Sequence, residues 1–267
     1  MSDHSKPARK PAWVIDKERA RRAASSETIW LFGMHAVRDA LANPRREALR
    51  LVLTKNAADR LGDLPMPAEI VDARGFDKAV PLAPDSVHQG AALEVRPLKW
   101  GSLSEVCLRP SPDGVRPLIV ALDRVTDPHN AGAILRSAEV FGARAVIAPA
   151  RHAAPETGAL AKATSGALER QPYLRVPNLA DALREVQNMG YTVIGLEGDA
   201  PDTLAEVLAQ GPGGAAVCLV LGAEGPGLRE GTRTACDRLA RIAYPGGFGS
   251  LNVSNAAAVA LYAASPA

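Results

Sequence analysis

From Thr28 onward the apolar residues fall into short unbroken runs and helical stripes, and these two spacings divide the chain into elements. Ile29-Trp30-Leu31-Phe32 predicts a short strand, and Gly33 a turn after it. Val37, Ala40 and Leu41 sit at helical spacing, and Asn43-Pro44 ends that helix because proline drives the preceding residue out of α geometry. Residues 49–54, 68–71 and 91–95 predict three further strands, completing a small α/β unit close to the lower size limit for a self-sufficient domain. Residues 96–116 hold Pro97, Gly101, Pro110, Pro112 and Gly114, which suits a linker with a helical turn or two around 103–108.

The second half alternates. Residues 117–122 (PLIVAL) are apolar throughout, as expected of a parallel strand covered on both faces. A helix follows over 131–141, with Ile134, Ala138 and Phe141 on one side, then a strand over 145–148. Residues 178–189 predict a helix capped by Asn178, and 192–196, 216–221 and 239–243 predict strands. Ser254 is placed to cap a closing helix over 254–264. Strand and helix alternating in this way predict an α/β domain with a mainly parallel sheet. The expected organisation is a basic, disordered tail over 1–27, a small α/β domain over 28–97, a linker over 98–116 and the parallel-sheet domain over 117–267.

Composition narrows the partners only slightly. The chain is 47% hydrophobic and 22% charged, ordinary for a protein with a sizeable core, but only 4% aromatic. The core must therefore lean on Leu, Val, Ile and Ala. Net charge is +2, and residues 1–27 alone carry +3 (seven Lys/Arg against four acids), so the rest carries −1. Bulk charge gives no argument for nucleic acid, which would need a local basic surface. Cys107, Cys218 and Cys236 are scattered without a CxxC pair or a His at ligand spacing, so no metal site is expected and the thiols suit a reducing compartment. The polar start lacks a signal-peptide apolar stretch, and no window approaches a membrane span, so a cytoplasmic protein with no membrane partner is expected.

Three loops at predicted carboxyl ends of strands are rich in glycine and small polar residues, where ligands of parallel α/β sheets bind. The first runs from Asp123 to Ser137 and contains Asn130, Gly132 and Arg136. Read locally, Asn130 is a helix N-cap, and Arg136 is a surface partner for Glu139 at i+3. Gly132 suits close backbone approach. His129 beside Asp123 and Asp127 has no further ligand cluster to support a metal. The second loop is Leu221-Gly222-Ala223-Glu224-Gly225-Pro226-Gly227, which exposes backbone N–H groups but matches neither a Walker loop nor G-x-G-x-x-G. Glu224 is an acid in a loop that otherwise suits an uncharged or anionic ligand part. The third loop runs from Ile242 through Gly246, Ser250, Leu251 and Asn252 to Asn255, and its local reading is turn and capping duty. No nucleophile–His–Asp set accompanies them.

Taken together, N-x-G-A-x-x-R-S-A (130–138), L-G-A-E-G-x-G (221–227) and S-L-N-V-S (250–254) resemble, in order and separation, the SpoU/TrmH-like RNA 2′-O-methyltransferases of the SPOUT superfamily. Gly33-Met-His35-Ala-Val37 and His88-Gln89-Gly90 are similar to the substrate-binding domain of the bacterial 23S rRNA guanosine 2′-O-methyltransferases within that group. The resemblance implies an α/β fold with a deep trefoil knot in the parallel-sheet domain, an L30e-like N-terminal domain and a homodimer. It implies S-adenosylmethionine as methyl donor and RNA as substrate, rRNA with tRNA as the alternative. Asn130, Arg136, Glu224, Ser250 and Asn252 match catalytic or site-shaping positions. Leu221, Gly222, Ala223, Gly225, Ile242, Gly246 and Leu251 match cofactor-binding ones. One departure is Ile242-Ala243-Tyr244, where the family usually has Ile-Pro-Met. Two readings compete: a catalytically inactive RNA-binding factor of the same fold, and a Rossmann-type small-molecule methyltransferase. The second predicts a glycine-rich loop directly after strand 117–122, and residues 123–129 contain none.

Overall fold

The computed structural model describes residues 28–83, 86–110, 115–211, 214–244 and 251–265. The tail over 1–27, with its expected disorder, lies outside them. Two sheets organise the rest. The first contains β1 (Ile29–Phe32), β2 (Ala48–Thr54), β3 (Ala68–Val71) and β4 (Ala91–Val95), in the order β1-β4-β2-β3. β4 runs antiparallel to β1 and β2, and β3 runs parallel to β2. Helices α1 (Met34–Ala42), α2 (Lys55–Leu61) and α3 (Ala73–Ala79) connect these strands.

The second sheet holds β5 (Leu118–Asp123), β6 (Ala145–Pro149), β7 (Tyr173–Val176), β8 (Thr192–Leu196), β9 (Val217–Gly222) and β10 (Arg238–Ala240). Its order is β10-β8-β9-β5-β6-β7, and every pairing is parallel. Both faces are covered, which is why β5 and β9 read as unbroken apolar runs. Leu118, Val120 and Leu122 enter one core while Ile119 and Ala121 enter the other, because successive strand side chains point to opposite faces. β9 divides in the same way, with Leu219 and Leu221 on one side and Cys218 and Val220 on the other.

Helices α5 (Pro128–Val140), α6 (Gly158–Thr164), α8 (Leu204–Gln210) and α10 (Val253–Ala264) bury their apolar sides in the first core. Helices α4 (Leu103–Cys107) and α7 (Leu179–Asn188) serve the second, which the short α9 (Glu230–Thr234) borders. The expected linker is anchored at three of its described residues: Trp100, Val106 and Cys107 are buried in the second core, and Tyr191 Oη donates to the Cys107 carbonyl at 2.6 Å.

Local chemistry explains most of the element ends, and it corrects three sequence expectations. Asn178 caps α7, accepting from Ala180 N at 3.0 Å, as expected. The cap of α5 is Asp127 rather than Asn130: its carboxylate accepts from the His129 and Asn130 amides at 3.1 and 3.3 Å, with Pro128 opening the helix. Asn252, not Ser254, caps α10, accepting from Ser254 N at 2.8 Å. Glu139 does not pair with Arg136. It takes Arg170 at 2.5 and 3.3 Å, since an arginine placed N-terminal to its acid is the weaker helical orientation and Arg170 reaches both oxygens from outside. Gly132 does permit close approach, to helix α6: a Cβ there would stand 2.5 Å from Ala163 Cβ.

A buried ionic cluster joins the two sheets. Arg46, on the connection between α1 and β2, donates to Glu169 and to Glu156 of the second half. Asn43 Nδ2 adds a bond to the Glu169 carboxylate at 2.9 Å.

Candidate active site

Because all strands of the second sheet are parallel, their carboxyl ends meet along one edge. There β8, β9 and β10 lead into a cleft of about 550 Å³. Its floor and walls are Leu196, Leu221, Gly222, Ala223, Gly225, Ile242, Tyr244, Leu251 and Val253, with Glu197, Asp199, Glu224, Glu230 and Arg233 supplying the charge.

The β9 loop folds back on itself. Ala223 and Gly227 form a bridge, with Gly227 N donating to the Ala223 carbonyl at 3.0 Å. The return is so close that a Cβ on Gly222 would lie 2.2 Å from the Gly227 carbonyl carbon, so no side chain fits there. Gly225 and Gly227 have φ of 86° and 65°, which other residues rarely adopt. The loop is then pinned to β5. Asp123, fully buried at that strand's end, accepts from Arg229 N and Arg229 Nε, both at 2.8 Å. Asp123 is therefore committed to holding this loop, which explains its acidic character without a metal.

Three side chains from the three motif loops converge beside the cleft. Glu224 Oε1 accepts from Asn130 Nδ2 at 3.2 Å, Asn252 Nδ2 at 2.5 Å and the Val253 amide at 3.3 Å. Asn252 Nδ2 also donates to Asn130 Oδ1 at 3.0 Å, closing a ring of three residues separated by up to 122 positions in sequence. The caps make this possible. With Asp127 satisfying the first amides of α5, the Asn130 carboxamide is free to reach across. Asn252 splits its duties, Oδ1 to its own helix and Nδ2 to the ring.

Other expected residues fall differently. Arg136 is exposed on α5 and has no polar partner among the described residues. Six positions beyond Asn130, it lies about 9 Å further along the helix and roughly 120° around it. Ser250 and Gly246 lie outside the described residues. Leu221, Gly222, Ala223, Gly225, Ile242 and Leu251 all line the cleft. Glu197, Asp199, Glu230 and Arg233 were not anticipated, although Glu197 directly follows β8 and the carboxyl-end rule points to it. Arg233 Nε pairs with Glu197 Oε2 at 3.2 Å.

Four carboxylates against one guanidinium make this lining suited to a cation and hostile to phosphate, even though the glycine-rich loop has the form of an anion nest. No cysteine competes as a nucleophile. Burial pushes the Cys107 and Cys236 thiols up to about 12 and Cys218 higher than an ordinary thiol, so none is a thiolate at neutral pH. Among the described residues there is no group of three or more His, Cys, Asp or Glu able to hold a metal, and no helix is long and apolar enough to cross a membrane.

A doubly covered parallel sheet with glycine-rich, acid-lined loops at its carboxyl edge defines an α/β protein built to bind a small cationic ligand beside a ring of polar side chains. Residues 117–262 match the family model described as the SpoU rRNA Methylase family, and the chain belongs to that family. It is 38% identical over 242 residues to the 23S rRNA (guanosine-2′-O-)-methyltransferase RlmB of Photobacterium profundum, covering 88% of this chain and 96% of that one. A relative of the same name from Burkholderia sp is 52% identical over 149 residues, 56% of this chain and 59% of its own length. The SpoU methyltransferase AviRb of Streptomyces viridochromogenes, crystallised with the cofactor AdoMet, shares the fold at TM-score 0.72 and 23% identity, covering 96% of this chain and 97% of that one. A TrmH-family RNA methyltransferase structure from Porphyromonas gingivalis superposes at TM-score 0.67 with 26% identity, covering 96% and 98%.

Proposed function

We propose that this chain transfers a methyl group from S-adenosylmethionine to a ribose 2′-hydroxyl of RNA, a guanosine of 23S rRNA. The observation that carries the reading is the Asn130–Glu224–Asn252 ring beside a glycine-walled, acid-lined cleft, in a chain whose family and near-full-length relatives are named for this reaction.

The cleft fits the cofactor. S-adenosylmethionine carries a sulfonium and an ammonium, which suit Glu197, Asp199, Glu224 and Glu230, and an adenine ring that suits Leu196, Leu221, Ile242 and Leu251. Leu221, Gly222, Ala223, Gly225, Ile242, Gly246 and Leu251 would hold it, largely through backbone groups. Tyr244 lines the same cleft, so the departure at Ala243-Tyr244 reshapes the wall without removing it. When bound, the cofactor supplies a methyl already activated by a positively charged sulfur.

The protein's task is then to position the hydroxyl and ease loss of its proton. Glu224 fixes the two carboxamides, leaving Asn130 and Asn252, with Ser250, to orient the ribose. Arg136, a guanidinium that stays protonated, does not take the proton. It clamps the phosphate beside the target ribose with two parallel bonds, which accounts for its exposure and for its having no polar partner among the described residues. Arg136→Lys should therefore cost most of the turnover, because lysine keeps the charge but loses the fork.

Residues 28–97 act as an L30e-like substrate-binding domain, 98–116 as the connection and 117–267 as the catalytic domain, with the cleft loops threaded as a trefoil knot in a cytoplasmic homodimer that uses no metal. The homodimer is supported by exposed apolar side chains on α5 and α10: Val140 and Tyr262 are 77% and 72% exposed, with Val259 nearby in sequence at 44%.

The deciding experiment is methyl transfer from labelled S-adenosylmethionine to rRNA from a strain lacking the gene, followed by mapping of the modified ribose. Incorporation at one 23S guanosine supports the reading. Transfer to tRNA alone would reassign the substrate, and cofactor binding without transfer would mark an inactive family member.

A further inference from the structure

A second cavity, of about 280 Å³, opens at the opposite edge of the second sheet, and no carboxylate is among the described residues that line it. Its wall carries four arginines, Arg45, Arg109, Arg144 and Arg170, around Trp100. They come from different parts of the chain: Arg45 from the connection after α1, Arg109 from the segment after α4, Arg144 and Arg170 from the turns that precede β6 and β7. Bulk composition hides this concentration, because the chain outside its first 27 residues is nearly neutral.

Three of the four guanidiniums are held in place, while Arg109 stands exposed at the rim. Arg45 stacks over the Trp100 ring at 4.3 Å and bonds the Glu169 carbonyl at 3.5 Å. Arg144 donates to Tyr191 Oη at 2.8 Å and to the Cys107 carbonyl. Arg170 is gripped at both of its bonding nitrogens by Glu139. Converging, pre-oriented guanidiniums recognise tetrahedral oxyanions, since little side-chain freedom remains to be lost on binding.

We infer that this pocket binds phosphodiester groups of the RNA substrate, as a second anchoring point remote from the chemistry. The inference rests on the proposed function. It favours a polyanion over a free phosphate because the arginines come from connections in both halves of the chain and from the segment between them, more cationic groups than one phosphate can engage. β5, running from the pocket edge to the cleft edge, spans six residues, so the two sites lie about 20 Å apart, several nucleotides of chain.

The test compares the wild-type protein, the Arg45→Ala/Arg109→Ala double variant and an Arg184→Ala control, whose arginine pairs with Asp181 on α7 and does not line the pocket. Neither tested arginine belongs to the cleft or the polar ring. The probe is transcribed 23S rRNA, its Kd read by anisotropy across a salt series, alongside cofactor affinity and the single-turnover rate at saturating RNA. Expected is an RNA Kd raised about tenfold and a log–log salt slope reduced by about 0.7 to 0.9 for each phosphate no longer neutralised, with cofactor affinity and saturated rate unchanged. An RNA Kd and slope equal to those of the Arg184→Ala control would overturn it. So would inorganic phosphate binding to the wild type alone with RNA affinity unchanged, which would make the pocket a free-anion site. A wild type that binds RNA but transfers no methyl would sink the catalytic reading, while the binding comparison would still decide this one.

Discussion

Arg46 reaches across the boundary between the two sheets and grips Glu169 with two parallel bonds, Nε to Oε2 at 3.0 Å and Nη2 to Oε1 at 2.7 Å, with the Arg46 side chain fully buried. A bidentate pair in this setting fixes the relative orientation of the elements that carry it. It need not add net stability over an apolar replacement, because both charges have left water. Removing one partner is another matter. Arg46→Met should cost about 3–5 kcal/mol in urea unfolding, since Glu169 is left buried without its countercharge. Arg46→Met/Glu169→Leu should recover much of that loss, and equal losses in single and double variants would refute the account.

Glu156, the second acid on Arg46, makes the same cluster sensitive to pH. Burial raises its pKa above the ordinary 4.5, with Arg46 opposing the shift only in part. A carboxyl whose folded pKa is raised contributes stability that is fully present below the unfolded value and is lost as pH climbs through the folded one. Glu156→Gln removes that dependence while keeping an oxygen for the 2.8 Å bond from Arg46. Relative to wild type, the variant should become progressively more stable as pH rises from below 4.5 to neutrality, in paired denaturation curves. A stability difference that stayed flat over that range would contradict the assignment.

Two glycines of the motif loops have different reasons to be glycine, and alanine should separate them. At Gly222 the Cβ would sit 2.2 Å from backbone of the same loop, so Gly222→Ala must move a cleft wall and should lower cofactor affinity at least tenfold in calorimetry. At Gly132 the Cβ would meet Ala163 on α6, so Gly132→Ala should act on helix packing and lose about 1–3 kcal/mol of stability. Cofactor affinity at a temperature where Gly132→Ala is folded should stay within a few-fold of wild type.

Asn130 is the member of the polar ring most easily tested by charge. Asn130→Asp would place a second carboxylate against Glu224 Oε1, where the carboxamide nitrogen now donates at 3.2 Å. Two carboxylates that close cannot both ionise readily, so one takes up a proton and the ring reforms at acid pH. Methyl transfer by Asn130→Asp should fall at least tenfold at alkaline pH, and the deficit relative to wild type should shrink on acidification. A deficit independent of pH would mean that Asn130 acts other than through Glu224.

These residues also mark where sequence reasoning succeeded and where it stopped. β1, β3, β4 and β8 were legible to the residue, because apolar runs bounded by turn residues admit few other readings. Helices α2, α3, α6, α8 and α9 were not anticipated, as seven residues or fewer span about two turns and show little periodicity. Caps were legible as a class but not individually. Asp127 and Asn130 are both competent, and only the fold decides that Asp127 takes the amides and Asn130 reaches Glu224. The motif loops announced most of the cleft through their glycines. Asp199 and Glu230 had no such signal and Glu197 only its place directly after β8, and their carboxylates acquire meaning only when three strand ends are brought together.

Those acids carry the last prediction. S-adenosylmethionine and its demethylated product differ by one methyl and one positive charge on sulfur, so a cleft lined by four carboxylates and one guanidinium should favour the donor over the product. The preference promotes turnover, because a spent cofactor that binds less tightly leaves sooner. Glu197 is the informative acid: its side chain is only 14% exposed, it lines the cleft paired with Arg233 at 3.2 Å, and it does not belong to the polar ring. Glu197→Gln keeps the shape and removes the charge. It should weaken binding of S-adenosylmethionine by roughly three- to tenfold, about 1 kcal/mol for a partly screened charge, while moving the product's affinity less. Calorimetry with both ligands measures the ratio directly. Equal weakening of the two would show that Glu197 serves the ribose or the amino acid end that they share, and would leave the sulfonium preference to Glu224 and its neighbours.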